Sequence, residues 1–204
     1  MTGSQIELWD WRRRVAALYA VARAAEDAEA AWRDWRAGRD LLFEDHPQSP
    51  LDAAARSAFA GIGYFDYHPN YRFHVALDRM DGGPERLDGG GDGALLLIPF
   101  AVTRGLGPRL GGELTLYWIG GYGGGALVPF RDATSGDTTY GGGRYLLDTV
   151  KGADLGCAAD GQTMLDFNFA YNPSCAYSGR WVRPLAPPAN HLPAAVEAGE
   201  LAPP

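Results

Sequence analysis

Cysteine is scarce. The 204 residues hold two, Cys157 and Cys175, with no CxxC and no Cys/His cluster around either. That excludes a disulfide framework and a four-ligand structural zinc site. A single disulfide stays open, and two free thiols in a reducing cytoplasm is the plainer expectation. Long apolar runs are also missing: nothing approaches the roughly 18 residues of a membrane span. The opening MTGSQ lacks the basic and then apolar pattern of a secretory leader, so a cytoplasmic location is expected. Nor is there an excess of positive charge. A net charge of −7 gives no general attraction to phosphate backbones or anionic lipid, so neither nucleic acid nor a membrane is expected as a partner.

Metal and nucleotide signatures are absent too. The four histidines show no HxH or HExxH spacing. His68 and His74 would share a strand face only if the strand began early, and Pro69 between them argues against that. The glycine runs GGYGGG and YGGGRY match neither GxGxxG opening a helix nor GxxxxGK[ST]. GGGDGA reads as a loop tip without the spaced carboxylates of a calcium loop. No cofactor and no metal is expected.

What is present is ordinary globular composition, 46% hydrophobic and 21% charged. It suits one structural unit made of a helical arm (1–60) and a β domain (61–204). From Leu8 to Ala37, apolar residues recur every three or four positions with arginines between them, an amphipathic helical pattern. Asp27 is placed to cap a second helix that stops at or after Gly38, although one bent helix would also fit. Pro47 and Pro50 bracket a turn, and a short helix is expected over Leu51 to Phe59. His46, pushed out of helical geometry by Pro47, either caps the preceding helix or points at a site.

After Gly61 the period changes to two. Tyr71, Phe73, Val75 and Leu77 alternate with Arg72, His74, Ala76 and Asp78. Further strands are expected over 94–103, 113–120, 125–130, 144–148 and 163–167, joined by glycine-dense turns with no crossover helix. The expected class is α+β: N-terminal helices followed by a strongly curved antiparallel sheet, as a small barrel or a sandwich. The proline-rich end from Trp181 onward should wrap the domain as a belt, anchored by Trp181, Leu185, Leu192 and Val196 and fraying near Glu200.

The densest chemistry lies between Phe130 and Tyr177. In RDATSGDTTYGGGRY, Asp132 suits an Asx or hydroxyl turn around Gly136. In LDFNFAYNPSCAY, strand alternation would put Asp166 and Asn168 on one face and Leu165, Phe167 and Phe169 on the other. Tyr140 and Arg144 would then face Asp166 across the sheet, as a charge-assisted pair. The candidate site is Asp132, Tyr140, Arg144, Asp166, Asn168, Tyr171, Asn172 and Cys175, with His46 as an outlying member. These residues suit either a pocket for a polar small molecule, with acid/base or thiol catalysis left open, or a buried polar network.

The blocks FRDATSGDTTYGGGRYL, LDFNFAYNPSCAY and RPLAPPANHLPAAVEAGE, with HPQSPL and GYFDYHPNYRF upstream, resemble the bacterial domain-of-unknown-function family numbered 1684. The resemblance runs from about Trp9 onward. It implies an uncharacterised protein with no transferable catalytic role, in a short form without the forkhead-associated-like segment of longer members. It also implies a Cys-Pro-Leu-x-Pro-Pro-Glu-Asn ending, in which Arg183 here takes the Cys position and Ala189 the Glu position. An essential pairing of Cys175 with that second cysteine is therefore not expected. The leading expectation is a small-molecule-binding protein with its pocket in the central stretch and catalysis left open; the alternative is a non-enzymatic interaction or scaffolding module in which that stretch is structural.

Overall fold

Ser4 starts the first helix. Its hydroxyl accepts the Glu7 amide at 3.3 Å and its own amide donates to the Glu7 carboxylate at 2.6 Å, a reciprocal cap on α1, Gln5–Ala24. The Asp27 carboxylate accepts the amides of Glu29 and Ala30, both at 3.0 Å, and opens α2, Ala28–Asp45. The computed structural model describes residues 4–88, 94–179, 181 and 184–203, so the expected loop tip at 89–93 and Arg183 lie outside the described residues.

Two helices form, as the Asp27 cap implies, but Gly38 does not end the second. A Cβ at Gly38 would overlap Leu18 of α1. The glycine marks the close approach of two helices, and this contact offsets a helix penalty of about 1 kcal/mol. The helix runs on until His46, which Pro47 holds in extended geometry. Next, Asp52 accepts the Ala55 amide at 2.8 Å and caps α3, Ala53–Ser57.

The strands are β1 (Arg72–Arg79), β2 (Glu85–Asp88), β3 (Ala94–Arg104), β4 (Thr115–Ile119), β5 (Gly125–Phe130), β6 (Arg144–Asp148) and β7 (Thr163–Asp166). They form one antiparallel sheet in the order β6-β5-β4-β3-β1-β7, with β2 beside the start of β3. Reciprocal backbone bonds between Tyr145 and Tyr171, at 2.8 and 3.0 Å, tie β6 to the segment after β7. The sheet is therefore a nearly closed barrel.

Two short elements appear where only glycine-rich connections are expected. ERLD has no apolar alternation and is a strand only because β3 pairs with it. A helical turn, α4 (Gly107–Leu110), forms because the Glu113 carboxylate accepts the amides of Gly105, Leu106 and Gly107 at 3.0, 3.2 and 2.8 Å.

Both faces of the sheet are covered. Val75, Leu116, Val128, Phe130, Leu165 and Phe167 fill the barrel. Leu97, Tyr117, Leu127 and Tyr145 point outward into a second core with Tyr19 of α1 and Trp32 and Trp35 of α2. Along β3 a register shift between Pro99 and Ala101 inserts an extra residue. Leu97 can then join the outer core while Ala101 joins the inner one.

The C-terminal belt goes inside. Leu192, Val196 and Ala198 lie in the inner core, whereas Leu185, expected as an anchor, is 53% exposed. Glu200, expected to fray, is 0% exposed. At Gly199 the backbone has φ +81, and a Cβ would stand 2.6 Å from the Ala170 carbonyl oxygen and 2.7 Å from that of Phe167.

Gly161 has nearly the same φ, +82, with nothing near its missing Cβ. Gly161→Ala should therefore cost only the left-handed backbone term, about 1–2 kcal/mol. Gly199→Ala adds the clash and should cost at least about twice as much. Urea-denaturation midpoints of the two variants measure the difference, and equal costs would mean that the tail is not held against Ala170.

Candidate functional site

Arg144 is the first residue of β6, and the preceding Gly143 (φ +94) lets the chain pass so close to Phe130 that a Cβ would sit 2.6 Å from its carbonyl oxygen. The Arg144 side chain is 1% exposed. It donates to Asp132 Oδ2 at 2.6 Å, to the carbonyl oxygen of Val196 at 3.0 Å, to that of Ala198, and to that of Glu200 at 3.4 Å. Its guanidinium carbon also lies 5.0 Å from the Phe130 ring centre. The three carbonyls come from alternate residues, the ones that point to one side of an extended chain. A neighbouring strand would normally satisfy them; here one guanidinium does. Asp132 is fixed in turn, because its Oδ1 accepts the Thr134 amide at 2.6 Å and the Thr134 hydroxyl at 2.5 Å. The expected Asx turn is there, with Gly136 at φ +91.

A second centre forms on Glu200. Its carboxylate takes Arg39 Nε at 3.0 Å, together with Arg39 Nη2, the Tyr64 hydroxyl at 3.2 Å, the Tyr177 hydroxyl at 3.0 Å and the Asn172 amide at 2.6 Å. Arg39 lies against the rings of Trp35, Phe43 and Tyr171. Burial, followed by the Glu200 charge, pushes the Tyr64 and Tyr177 hydroxyls well above their ordinary pKa, so they act as donors. Asn172 Nδ2 donates to the Leu201 carbonyl at 2.7 Å, while its buried Oδ1 has no partner among the described residues.

The expected Arg144–Asp166 pair does not form. Asp166 meets Arg72, its register partner across β1 and β7, at 3.2 Å. The expected shared strand face for Asp166 and Asn168 is also overturned. The strand ends at Asp166, whose Oδ1 accepts the Asn168 amide at 3.0 Å and Asn168 Nδ2 at 2.7 Å, and residues Phe167–Phe169 form a 3-10 turn. That turn sends Phe167 into the barrel and Phe169 out to the helices. Asn168 exchanges two bonds with the His68 backbone, at 2.9 and 3.0 Å, and its carbonyl accepts Trp32 Nε1 at 2.8 Å.

The remaining candidates are scattered. The Tyr171 hydroxyl points to Asp148 at 3.4 Å, inside the outer core. Tyr140 and Cys175 meet half-buried, hydroxyl to sulfur 3.9 Å. Burial and then the neighbouring thiol raise the Tyr140 pKa. Cys157 is exposed and Cys175 half-buried, and both are free. His46 is the C-cap of α2, with both ring nitrogens engaged: Nδ1 accepts the Gln48 amide at 3.0 Å and Nε2 lies 3.2 Å from Asp10 Oδ2. Among the described residues, no three His, Cys, Asp or Glu side chains are arranged to hold a metal ion, and no described helix is long and apolar enough to cross a membrane.

Three residues that matter here were not singled out from the sequence. Arg39 carried a signal, since it falls within the stripe Trp32, Trp35, Arg39, Leu42, where a solvent-facing arginine would not sit. Glu200 and Asn190 carried none. Asn190 uses both ends of its amide to join Thr115 of β4 (2.7 and 2.9 Å) to the Pro129 carbonyl of β5 (2.7 Å).

The geometry defines a class: an α+β protein whose nearly closed barrel is clamped by N-terminal helices, with the polar stretch turned inward. The chain belongs to the family described as protein of unknown function (DUF1684), whose model matches residues 57–201. That match begins well after Trp9 and leaves most of the helical arm outside it. The chain is also similar to an uncharacterised protein from gene locus rrnAC0354 of Haloarcula marismortui, known from a solution NMR structure. The two are 32% identical over 86% of this chain and 95% of that one, with a TM-score of 0.57. No curated protein matches.

Removing one partner of a buried pair leaves the other charge stranded, so Arg39→Met should cost about 3–5 kcal/mol. Adding Glu200→Gln should then restore at least about 1 kcal/mol, because the stranded charge is gone while an acceptor stays for Asn172 and Tyr177. Additive losses in urea titrations would contradict the pairing. Asp166 yields a pH test. Burial raises its pKa, against the lowering pull of Asn168 and Arg72. A folded value above the unfolded one means that the folded state holds the proton more tightly, and this contribution is lost as pH rises through the folded value. Relative to wild type, the non-titrating Asp166→Asn variant should therefore gain stability as pH rises above the ordinary aspartate range, about 4. A relative loss over that rise would mean that the Arg72 pair outweighs burial.

Proposed function

We propose that this protein is a non-enzymatic interaction module in which the central polar stretch is internal scaffolding and the helical arm supplies the contact surface. The observation that carries this reading is the disposition of the stretch's charges. Asp132, Arg144 and Asp166 each have ionic or hydrogen-bonding partners inside the chain, which leaves them little to offer a substrate. The arm, by contrast, exposes Ile6, Trp9, Val21 and Leu41, each more than 60% or at 60% accessible. In this reading the arm (1–60) and the β domain (61–204) act as one structural unit in the cytoplasm, and the charge of −7 disfavours nucleic acid and anionic lipid as partners.

One observation favours a second reading, a small-molecule site with catalysis left open. Among the candidate site residues Tyr140 and Cys175 are the two that stay half-buried, with hydroxyl and thiol 3.9 Å apart. A thermal-shift screen of small metabolites separates the two readings. The interaction reading expects no compound to raise the Tm by more than about 2 °C. It also expects a protein that co-purifies with wild type to be lost from Leu41→Lys, with the Tm of that exposed-site variant essentially unchanged. A ligand whose shift disappears in Tyr140→Phe or Cys175→Ser would overturn it in favour of the pocket.

A further inference from the structure

α1 and α2 run antiparallel, so that the start of α1 and the end of α2 line one open cleft of about 690 Å³. Its floor is apolar: Ala17 and Leu18 from α1 and Leu42 from α2. At its edges Ile6 is 73% and Leu41 60% exposed. Gly38 also lines the cleft, and its missing side chain lets Leu18 of α1 pack against α2 there. Along α1 the lining spans Ile6 to Leu18, about 18 Å at 1.5 Å per residue, which is the length of a little more than three helical turns.

The charge around this cleft is one-sided. Glu7, Asp10 and Asp45 line it against one guanidinium, that of Arg14, which is already paired with Asp10 at 2.7 Å. α2 ends in Glu44 and Asp45 with no basic residue in its last turn. Carboxylates at a helix C-terminus add to the negative end of the macrodipole instead of offsetting it. Arg56 donates to the His46 carbonyl at 3.2 Å and offsets part of the dipole there, but neither carboxylate has an ion pair among the described residues, and the cleft lining keeps a net negative charge.

We infer that the α1/α2 cleft is the docking site for an amphipathic helix of another protein, about three turns long, with an apolar stripe for the floor and Lys or Arg flanking it against Asp45 and Glu7. This inference rests on the interaction reading above and adds the partner's class. A second copy of this chain fits the charge poorly. The cleft lining carries three carboxylates and one guanidinium, so a two-fold contact of cleft on cleft would bring two net-negative surfaces together. Anionic lipid meets the same repulsion.

A fluorescein-labelled Leu/Lys peptide of helical spacing, with a Leu/Glu peptide of the same pattern as its counterpart, provides the probe. By fluorescence anisotropy the Leu/Lys peptide should bind the full-length protein, and the Leu/Glu peptide at least tenfold more weakly. Leu41→Lys should cut Leu/Lys binding at least tenfold. Glu197→Lys, the reversal of an exposed acid on the C-terminal belt, should change it less than twofold. Equal losses in both variants would show attraction to net charge alone, and no binding up to about 100 μM would also overturn the partner class. Sedimentation of the protein alone covers the remaining occupant: a concentration-dependent dimer abolished by Leu41→Lys would assign the cleft to a second copy. That result overturns the helix partner while leaving the interaction reading standing. If Leu41→Lys alters neither peptide binding, self-association nor co-purification, both fall together.

Discussion

A chain drawn into the interior of a barrel must still satisfy its backbone carbonyls, and this requirement shapes the whole protein. The belt from Leu192 to Glu200 packs Leu192, Val196 and Ala198 into the inner core without joining the sheet as a strand. Arg144 supplies what a neighbouring strand would have supplied, donating to the carbonyls of Val196, Ala198 and Glu200. Its charge is offset by Asp132, and Asp132 is held by the Thr134 turn. The Asp132, Thr134 and Arg144 part of the dense polar stretch can be traced back to that need.

The same belt carries the clamp between the two layers. Glu200 emerges from the Arg144 carbonyl ladder and meets Arg39 from α2, with Tyr64, Tyr177 and the Asn172 amide sharing its carboxylate. A buried ion pair is weak evidence for net stability. It is stronger evidence for specificity, because only one placement of α2 brings Arg39 to Glu200 while seating Trp32 on the Asn168 carbonyl. Fixing the inner face of the arm in this way leaves its outer groove to solvent, and that groove is where apolar surface and unbalanced negative charge coincide.

Much of the fold was legible because its signals are local. The Asp27 cap, the alternation from Tyr71 to Asp78 and the glycine-bounded segments at 125–130 and 144–148 each depend on a few neighbouring residues, and the strands fall within a residue or two of where the pattern puts them. The failures share a cause. Gly38 reads as a helix stop until Leu18 is seen against it. LDFNF reads as one strand until Asp166 caps a turn inside it. Arg144 and Asp166 read as partners until β5, β6, β1 and β7 are placed in order, which assigns one to Asp132 and the other to Arg72.

By itself, then, the sequence determined the α+β class, the sites of most turns and the residue types of the polar stretch, since periodicity and capping act over one to four residues. Which of those residues face each other, and whether they face a cavity or one another, was decided only by tertiary structure. A guanidinium can satisfy any carboxylate or carbonyl within reach. The sheet order, the bulge in β3 and the path of the belt brought Asp132 and three tail carbonyls to Arg144, across sequence separations of 12 to 56 residues, and no local pattern records that choice.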